Sequence, residues 1–508
     1  METRETFRVS DWEGLNTRDS DLEIPIGASP YISNIEFFRE GWKTRQGITK
    51  LHAAAIAAKP VSGIFDGWNH ILAYCGAGIH KWNSGTSEWD AISGALTDSA
   101  IPMWTSYNAL DIFVNGSANS NPQKWDGATL AALGGSPPKA DCVALWHNRI
   151  WLSGLASPNQ GEVRYSDLEL PETWNGDFIR PSKQAKGVSV VAALPCPVPD
   201  AVDGERLVCF CDQSIWHFDG FSKSTWDVKP VNNKIGLVAP RSVVVAEGIT
   251  YWMGHNGFYA SYDGGRTVNL ISWNIQPTFD DLSDSRLQYA VGVHHRYKRQ
   301  IWWSVSNTTS STHNRVLVYN YGLSTPMHPA HLPDSRHVWS IYDLNLQSAA
   351  EVLVTGAYQL WGGDSGATGF VHRLDQGSSD NGTAISWGFR TKRFLLKGTW
   401  TAYQILRRLM IVHDAMANAT MRVKLYTDTS RTAQEDIPAL DLSGSAAAFG
   451  VARFGIDVFG GTSTRVDATQ WFNRWVRAVQ FEFSGNDLAK LVRVYEIAFE
   501  TLPKRGMR

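Results

Sequence analysis

The 508-residue chain carries 47 Lys and Arg against 49 Asp and Glu, for a net charge of −2. Hydrophobic residues make up 43% and charged residues 19%, which excludes a disordered chain; no long Lys/Arg stripe marks a nucleic-acid binder. Its excess is aromatic (22 Trp, 16 Tyr, 21 Phe) beside 44 Gly, a mixture that favours strands and tight turns over helices.

No apolar run follows the opening METRETFRVSDWEG, so no signal peptide is expected, and no segment of about 18 apolar residues could span a membrane. From Gly14 to Leu51 the chain reads as a loop containing Pro25 and Pro30, then a strand at NIEFF. A turn at Glu40-Gly41 and a second strand running into Arg45-Gln46-Gly47-Ile48 follow. Residues 1–59 are thus expected to form a loop and hairpin that close onto the next domain.

The middle of the chain repeats one turn. HKWNSG at Trp82, QKWDG at Trp125, VRYSD at Tyr165, WHFDG at Phe218, SYDGG at Tyr262, VYNYG at Tyr319 and VHRLDQG at His372 each follow an aromatic-rich strand. Six intervals over 290 residues give a mean period of about 48, within the range of propeller blades. Before each turn lies an apolar strand and a Gly/Asn/Ser loop, as in ERLVCFCDQSIWHF. A unit of this size cannot bury its own faces, and radial stacking solves that. The expected fold is all-β: a propeller over 60–380 of about seven blades, six or eight remaining open, followed by an antiparallel β-sandwich.

Inside the repeats, Ser261–Thr267 (SYDGGRT) fits the S-x-D-x-G-x-T hairpin found in sialidase-type propellers, with Val268 where Trp is usual. Its Ser and Asp are expected to cap backbone amides, a structural role. Asp280, Asp281 and Asp284 form the densest carboxylate group and read as a solvated loop rather than a glycosidase pair. His294, His295, His313, His328, His331 and His337 read as loop histidines, since Pro329 breaks any regular ligand face between His328 and His331. Cys75, Cys142, Cys196, Cys209 and Cys211 read as buried free thiols, with Cys209 and Cys211 on one strand face, which points to a reducing compartment. No phosphate loop, nucleophile elbow or dinucleotide fingerprint occurs. No catalytic, cofactor-binding or metal-ligating residue is therefore assigned, and no enzyme activity is expected.

Asp375–Ser386 reads as a Gly/Ser/Asp linker. Beyond it MRVKLYTD, ARFGIDVF, RWVRAVQFEFSG and LVRVYEIAFETLP alternate as sandwich strands over 387–508, with Gln480 and Glu482 on a solvated face. Residues 385–508 hold 18 Lys and Arg against 11 Asp and Glu, leaving 29 against 38 in 1–384, so the two modules are expected to differ in charge. Arg407-Arg408 and the tail LPKRGMR are small basic spots, read as a strand edge and a solvated tail.

The opening segment, through Gly14, Asn16, Asn34, Arg45 and Gly47, resembles the start of tailed-phage virion proteins. In length and in its order of repeats and sandwich, the chain is similar to the tail nozzle (tail hub, tubular tail) proteins of short-tailed bacteriophages. The resemblance implies a virion structural protein assembled in the bacterial host cytoplasm. It would form a ring, commonly a homohexamer, below the portal–adaptor proteins. Its channel would carry genomic DNA during ejection without sequence-specific binding, and its outside would support tail fibre or spike proteins. The family's role is structural, so no catalytic residue carries over. The alternative is a carbohydrate-binding or sialidase-like glycosidase propeller, which would need converging charges in a concave site.

Overall fold

The structure is a computed structural model, and it describes residues 4–92, 94, 96, 102–181, 189–328, 335–398, 400–443 and 465–503. The chain divides into two compact units. One comprises Met1–Thr49, His337–Tyr342 and Asp375–Arg508; the other comprises Lys50–Arg336 and Asp343–Leu374.

Among the described residues, seven four-stranded antiparallel sheets follow one another in sequence order, so the blade number is seven. The first strands of successive sheets pack together: Ala140–Trp146 touches Val190–Pro197, and Val291–His295 touches Leu346–Val354. Leu346–Val354 in turn lies against Val61–Asp66 of the first sheet, which closes the ring. Between blades the fill is aromatic. Trp146, Trp151, Tyr165 and Phe218 form one cluster, with Trp151 and Phe218 centroids 5.3 Å apart. Burial of rings of this size is the main driving force for stacking small sheets.

Each repeated turn falls at the end of its blade's third strand, for example after Gln123–Trp125 and Val371–Arg373. At Asp126-Gly127 the Asp carboxylate accepts from the amides of Ala128 (2.9 Å) and Thr129 (2.7 Å), and Gly127 sits at φ +94°. A β-branched side chain resists that φ, so Gly127→Val is expected to destabilise by about 1–2 kcal/mol, read as a lower urea midpoint. The seventh sheet has no fourth strand after Arg373. Thr49–Lys50 supplies it from the chain's beginning. Leu51 N donates to Val371 O (3.0 Å), and Val371 N donates to His52 Nε2 (2.9 Å).

The other unit packs two sheets face to face. One runs Arg465–Val476, Gln404–Asp414, Arg493–Pro503, Gly41–Thr44, Ile35–Phe38, with Glu5–Val9 also on Arg493–Pro503. The second runs Glu435–Asp441, Thr420–Thr427, Ala478–Gly485, Trp387–Arg390, Tyr31–Ser33, with Phe394–Leu395 off Ala478–Gly485. Across the interior Trp42 stacks on Phe389 at 5.2 Å, and Phe481 meets Phe499 at 5.6 Å.

Four expectations are corrected here. The hairpin Ile35–Phe38/Gly41–Thr44 completes the sandwich, and only the segment around Thr49–Lys50 closes the propeller, because Trp42 and Phe37 find their apolar cover in the sandwich core. Asp375–Ser386 belongs to that same unit: Arg45, 2% exposed, holds Asp380 through two hydrogen bonds of 2.9 and 2.6 Å. Gln480 and Glu482 are buried, because Ala478–Gly485 is an interior strand whose second face is also covered. Burial pushes the Glu482 carboxyl upward, but Arg390, Lys424 and Tyr426 hold it below the usual carboxylate range. The charge contrast also softens. Counted by unit, the sandwich holds 24 Lys and Arg against 22 Asp and Glu, and the propeller 23 against 27, since 1–49 brings nine acids to the sandwich. ARFGIDVF (452–459) and tail residues 504–508 lie outside the described residues.

Candidate functional site in the propeller

A cavity of about 580 Å³ opens where the loops after the second strands of several blades converge. Its walls include Ser117 and Asn119 after Leu110–Val114, Gly154 and Leu155 at the end of Arg149–Leu155, Asp212 after Glu205–Cys211, and His255 after Ile249–Gly254. Asp141 and Arg241 complete the charged set. Asp141 accepts from the Ser117 amide (2.6 Å) and hydroxyl (3.1 Å). Burial nonetheless pushes its carboxyl above the usual range, outweighing those bonds. His255 Nε2 lies 2.7 Å from Asp212 Oδ1, an exposed pair. The arrangement offers hydrogen-bond acceptors and one imidazole to a polar, uncharged or cationic guest.

Arg241 is committed differently. Its guanidinium donates to Ser62 O (2.8 Å) and Gln347 O (3.2 Å), on the first strands of blades one and seven. Burial lowers its pKa to about 10, and it stays a cation at neutral pH. It therefore acts as a clasp across the closing seam rather than as a free anion clamp.

None of these four residues stands out in the sequence, since no two share a motif and only the stacking of blades brings them together. One signal was available: Asp212 and His255 each directly follow their blade's second strand. Aligning strand ends rather than turns marks that position.

The residues singled out earlier lie elsewhere. In Ser261–Thr267 the Ser261 hydroxyl accepts from Gly265 N (2.7 Å), and Asp263 accepts from Thr267 N (2.8 Å), as the capping role requires. His217 Nε2 meets Gly264 O at 2.8 Å and ties this turn to the blade before it. Asp280, Asp281 and Asp284 are exposed and do not face one another as a pair: Gln276 donates to Asp280, and Arg315 and Thr308 approach Asp281. Asp284 opens the turn Asp284–Tyr289. All five cysteines are buried and free. Cys209 and Cys211 share one cluster, as their alternation predicts. Arg408 pairs with Glu500 at 2.5 Å, and Arg407 donates to Asn473 at 3.2 Å.

Two of the six histidines need correction, while His313, His328 and His337 lie outside helices and strands, as expected of loop residues. His294 and His295 lie in the strand Val291–His295, because both precede a tight turn within a continuous sheet. His294 Nε2 meets the Tyr321 hydroxyl at 2.8 Å. His313 and His337 are buried, and His331 lies outside the described residues. Among the described residues, no group of three His, Cys, Asp or Glu could hold a metal ion, and no helix is long and apolar enough to cross a membrane.

His313 makes a pH prediction. Burial, reinforced by the Arg241 charge, lowers its pKa to about 3, while its Nδ1 faces Leu346 O at 3.0 Å. The unfolded chain protonates this imidazole near pH 6.5 and the folded chain does not, so stability falls as pH drops from about 6.5 toward 3. At pH 5 the loss from this group is about 2 kcal/mol. His313→Gln is expected to flatten the change in urea midpoint between pH 7 and pH 5.

The class defined by these features is a seven-bladed propeller whose sequence is embedded in a β-sandwich. No family model matches the chain, and no curated protein matches it. Solved structures similar to it include the extracellular domain of a hybrid two component system of B. thetaiotaomicron, at 9% identity and TM-score 0.38, covering 71% of this chain and 43% of that one. A one component system domain of the same organism has 9% identity and TM-score 0.40, covering 77% and 47%. The WD40 domain of Neurospora crassa Pan2 has 8% identity and TM-score 0.39, covering 67% and 98%. The chain thus spans less than half the length of the two B. thetaiotaomicron domains.

Proposed function

We propose that this chain is a bacteriophage virion structural protein that forms the tail nozzle ring below the portal–adaptor proteins. Its channel passes DNA, and its outside carries fibres or spikes. One observation supports the reading most: all five residues behind the resemblance are committed to the architecture of one unit. A Cβ on Gly14 would lie 2.8 Å from Trp339 N, and one on Gly47 would lie 1.9 Å from Ser379 O. Asn16 accepts from the amides of Arg18 and Asp19, while Asn34 accepts from Arg45 Nε at 2.7 Å and donates to Ser386 O at 2.7 Å. These side chains build a scaffold and leave no reactive group free, which suits a permanent assembly.

The test is negative-stain imaging and native mass of the chain, alone and mixed with portal–adaptor particles. A closed ring, six copies by the resemblance, is expected. A chain that stays monomeric and also fails to join virion or connector particles would falsify the reading. A carbohydrate-binding propeller is the second reading, favoured by the Asp141, Asp212–His255 cavity. The purified chain is expected not to hydrolyse sialosides or common glycosides, and turnover abolished by Asp141→Asn would move that second reading ahead.

A further inference from the structure

Each unit exposes an apolar patch that bears on assembly. On the sandwich, Arg465–Val476 is an edge strand of twelve residues, and among the described residues no strand pairs with its free side. Its outward face carries Trp471, 63% exposed, and Trp475, 50% exposed. Trp475 lies opposite Ile405, which lies opposite Leu502, so the apolar surface continues across three strands. Between the indoles, Asn473 accepts from Arg407, which has no carboxylate partner among the described residues. Native proteins ordinarily shorten, charge or cover an edge like this.

On the propeller, Phe221 (57% exposed) and Leu168 (51%) border a hollow of about 540 Å³ floored by Trp146 and His147. The His147 ring stacks on Trp146 at 3.8 Å and on Phe221 at 4.7 Å, and Asp203 fixes its far nitrogen at 2.6 Å. These contacts hold the His147 ring in one orientation at the floor of the hollow. Glu205 at its wall and Glu169 beside Leu168 are exposed carboxylates without a cation partner among the described residues.

We propose that these two patches are the two halves of one contact between copies: the tryptophan face of one chain docks on the Phe221 hollow of the next. The charges select this pairing. Arg407 beside the indoles faces a patch bearing Glu169 and Glu205, whereas like patches would set like charges together. Two unlike faces on one chain give head-to-tail association, which closes into a ring when the rotation permits. That closure rests on the nozzle reading above, and the contact deepens it by naming the surfaces.

The test uses the full chain in two variants, Trp471→Glu with Trp475→Glu, and Phe221→Glu, each first checked for an unchanged near-ultraviolet circular dichroism spectrum. Sedimentation velocity is run on the free chains, and binding is measured on tail particles lacking the protein. Both variants are expected to lose ring-sized species, and an equimolar mixture is expected to regain dimers and nothing larger, because each retains one complementary face. Assembly unchanged in either variant overturns the proposal. Loss in both without recovery on mixing assigns the contact to like faces and overturns it as well. If the wild-type chain forms no assembly in either setting, the nozzle reading itself falls, an outcome distinct from a wild type that assembles as well as its variants.

Discussion

Replacing Arg45 with Met is expected to lower the stability of the sandwich unit by about 2–4 kcal/mol, less than the full cost of stranding a buried charge because Asp380 keeps some access to water. The guanidinium is almost fully enclosed and makes three side-chain contacts, two to Asp380 and one to Asn34 Oδ1. Met fills the volume but leaves the Asp380 carboxylate and the Asn34 carbonyl oxygen without their donor. Lys is not expected to rescue, because one ammonium cannot reproduce two parallel bonds to a carboxylate. Adding Asp380→Asn should cost much less in the Arg45→Met background than in the native chain, so a double-mutant cycle reads the coupling. Additive single effects would show that the pair is not the contact that matters.

The second large effect belongs to Arg241. Arg241→Met removes both donors from Ser62 O and Gln347 O at the seam where blade seven meets blade one. Each lost charged hydrogen bond is worth about 1.5–3 kcal/mol, so a destabilisation of about 3–6 kcal/mol is expected. It should be concentrated at the seam: amide exchange in Val61–Asp66 and Leu346–Val354 should accelerate more than in Glu205–Cys211. Uniform acceleration in all blades would contradict the clasp role. Removing this charge should also raise the His313 pKa, because Arg241 is one of the groups that depress it.

Local signals carried the propeller. Asp-Gly and Asn-Gly turns after aromatic strands are set by backbone φ and by neighbouring residues, so Trp125-Asp126-Gly127 could be read without its partners. The seventh repeat shows the limit: AEVLVTGAYQLW holds that blade's first and second strands, whereas the same pattern elsewhere holds the second and third. Pairing across long separations was not legible. Nothing in NIEFFREGW says whether Trp42 will meet a blade or, more than 300 residues later, Phe389. Polarity misled in the same way at Glu482, whose burial depends on Arg390 and Lys424 arriving from other strands. The cavity residues were invisible for a related reason, since Asp141 and Asp212 line one cavity only once their consecutive blades have stacked.

That the first 49 residues belong with the last 134 sets a clock on biosynthesis. At roughly 5–20 residues per second, a ribosome needs about 15–65 s to travel from Thr49 to Asp375. Throughout that interval the hairpin bearing Phe37 and Trp42 has been made, but the sheet that will cover it has not. Blades one to six can form as they emerge, and the seventh is completed by a strand synthesised before any of them. A nascent chain stalled before Asp375 is thus expected to hold a nearly complete propeller and an uncovered aromatic leader, the kind of surface that recruits chaperones. The finished chain reaches its final topology only near the end of translation.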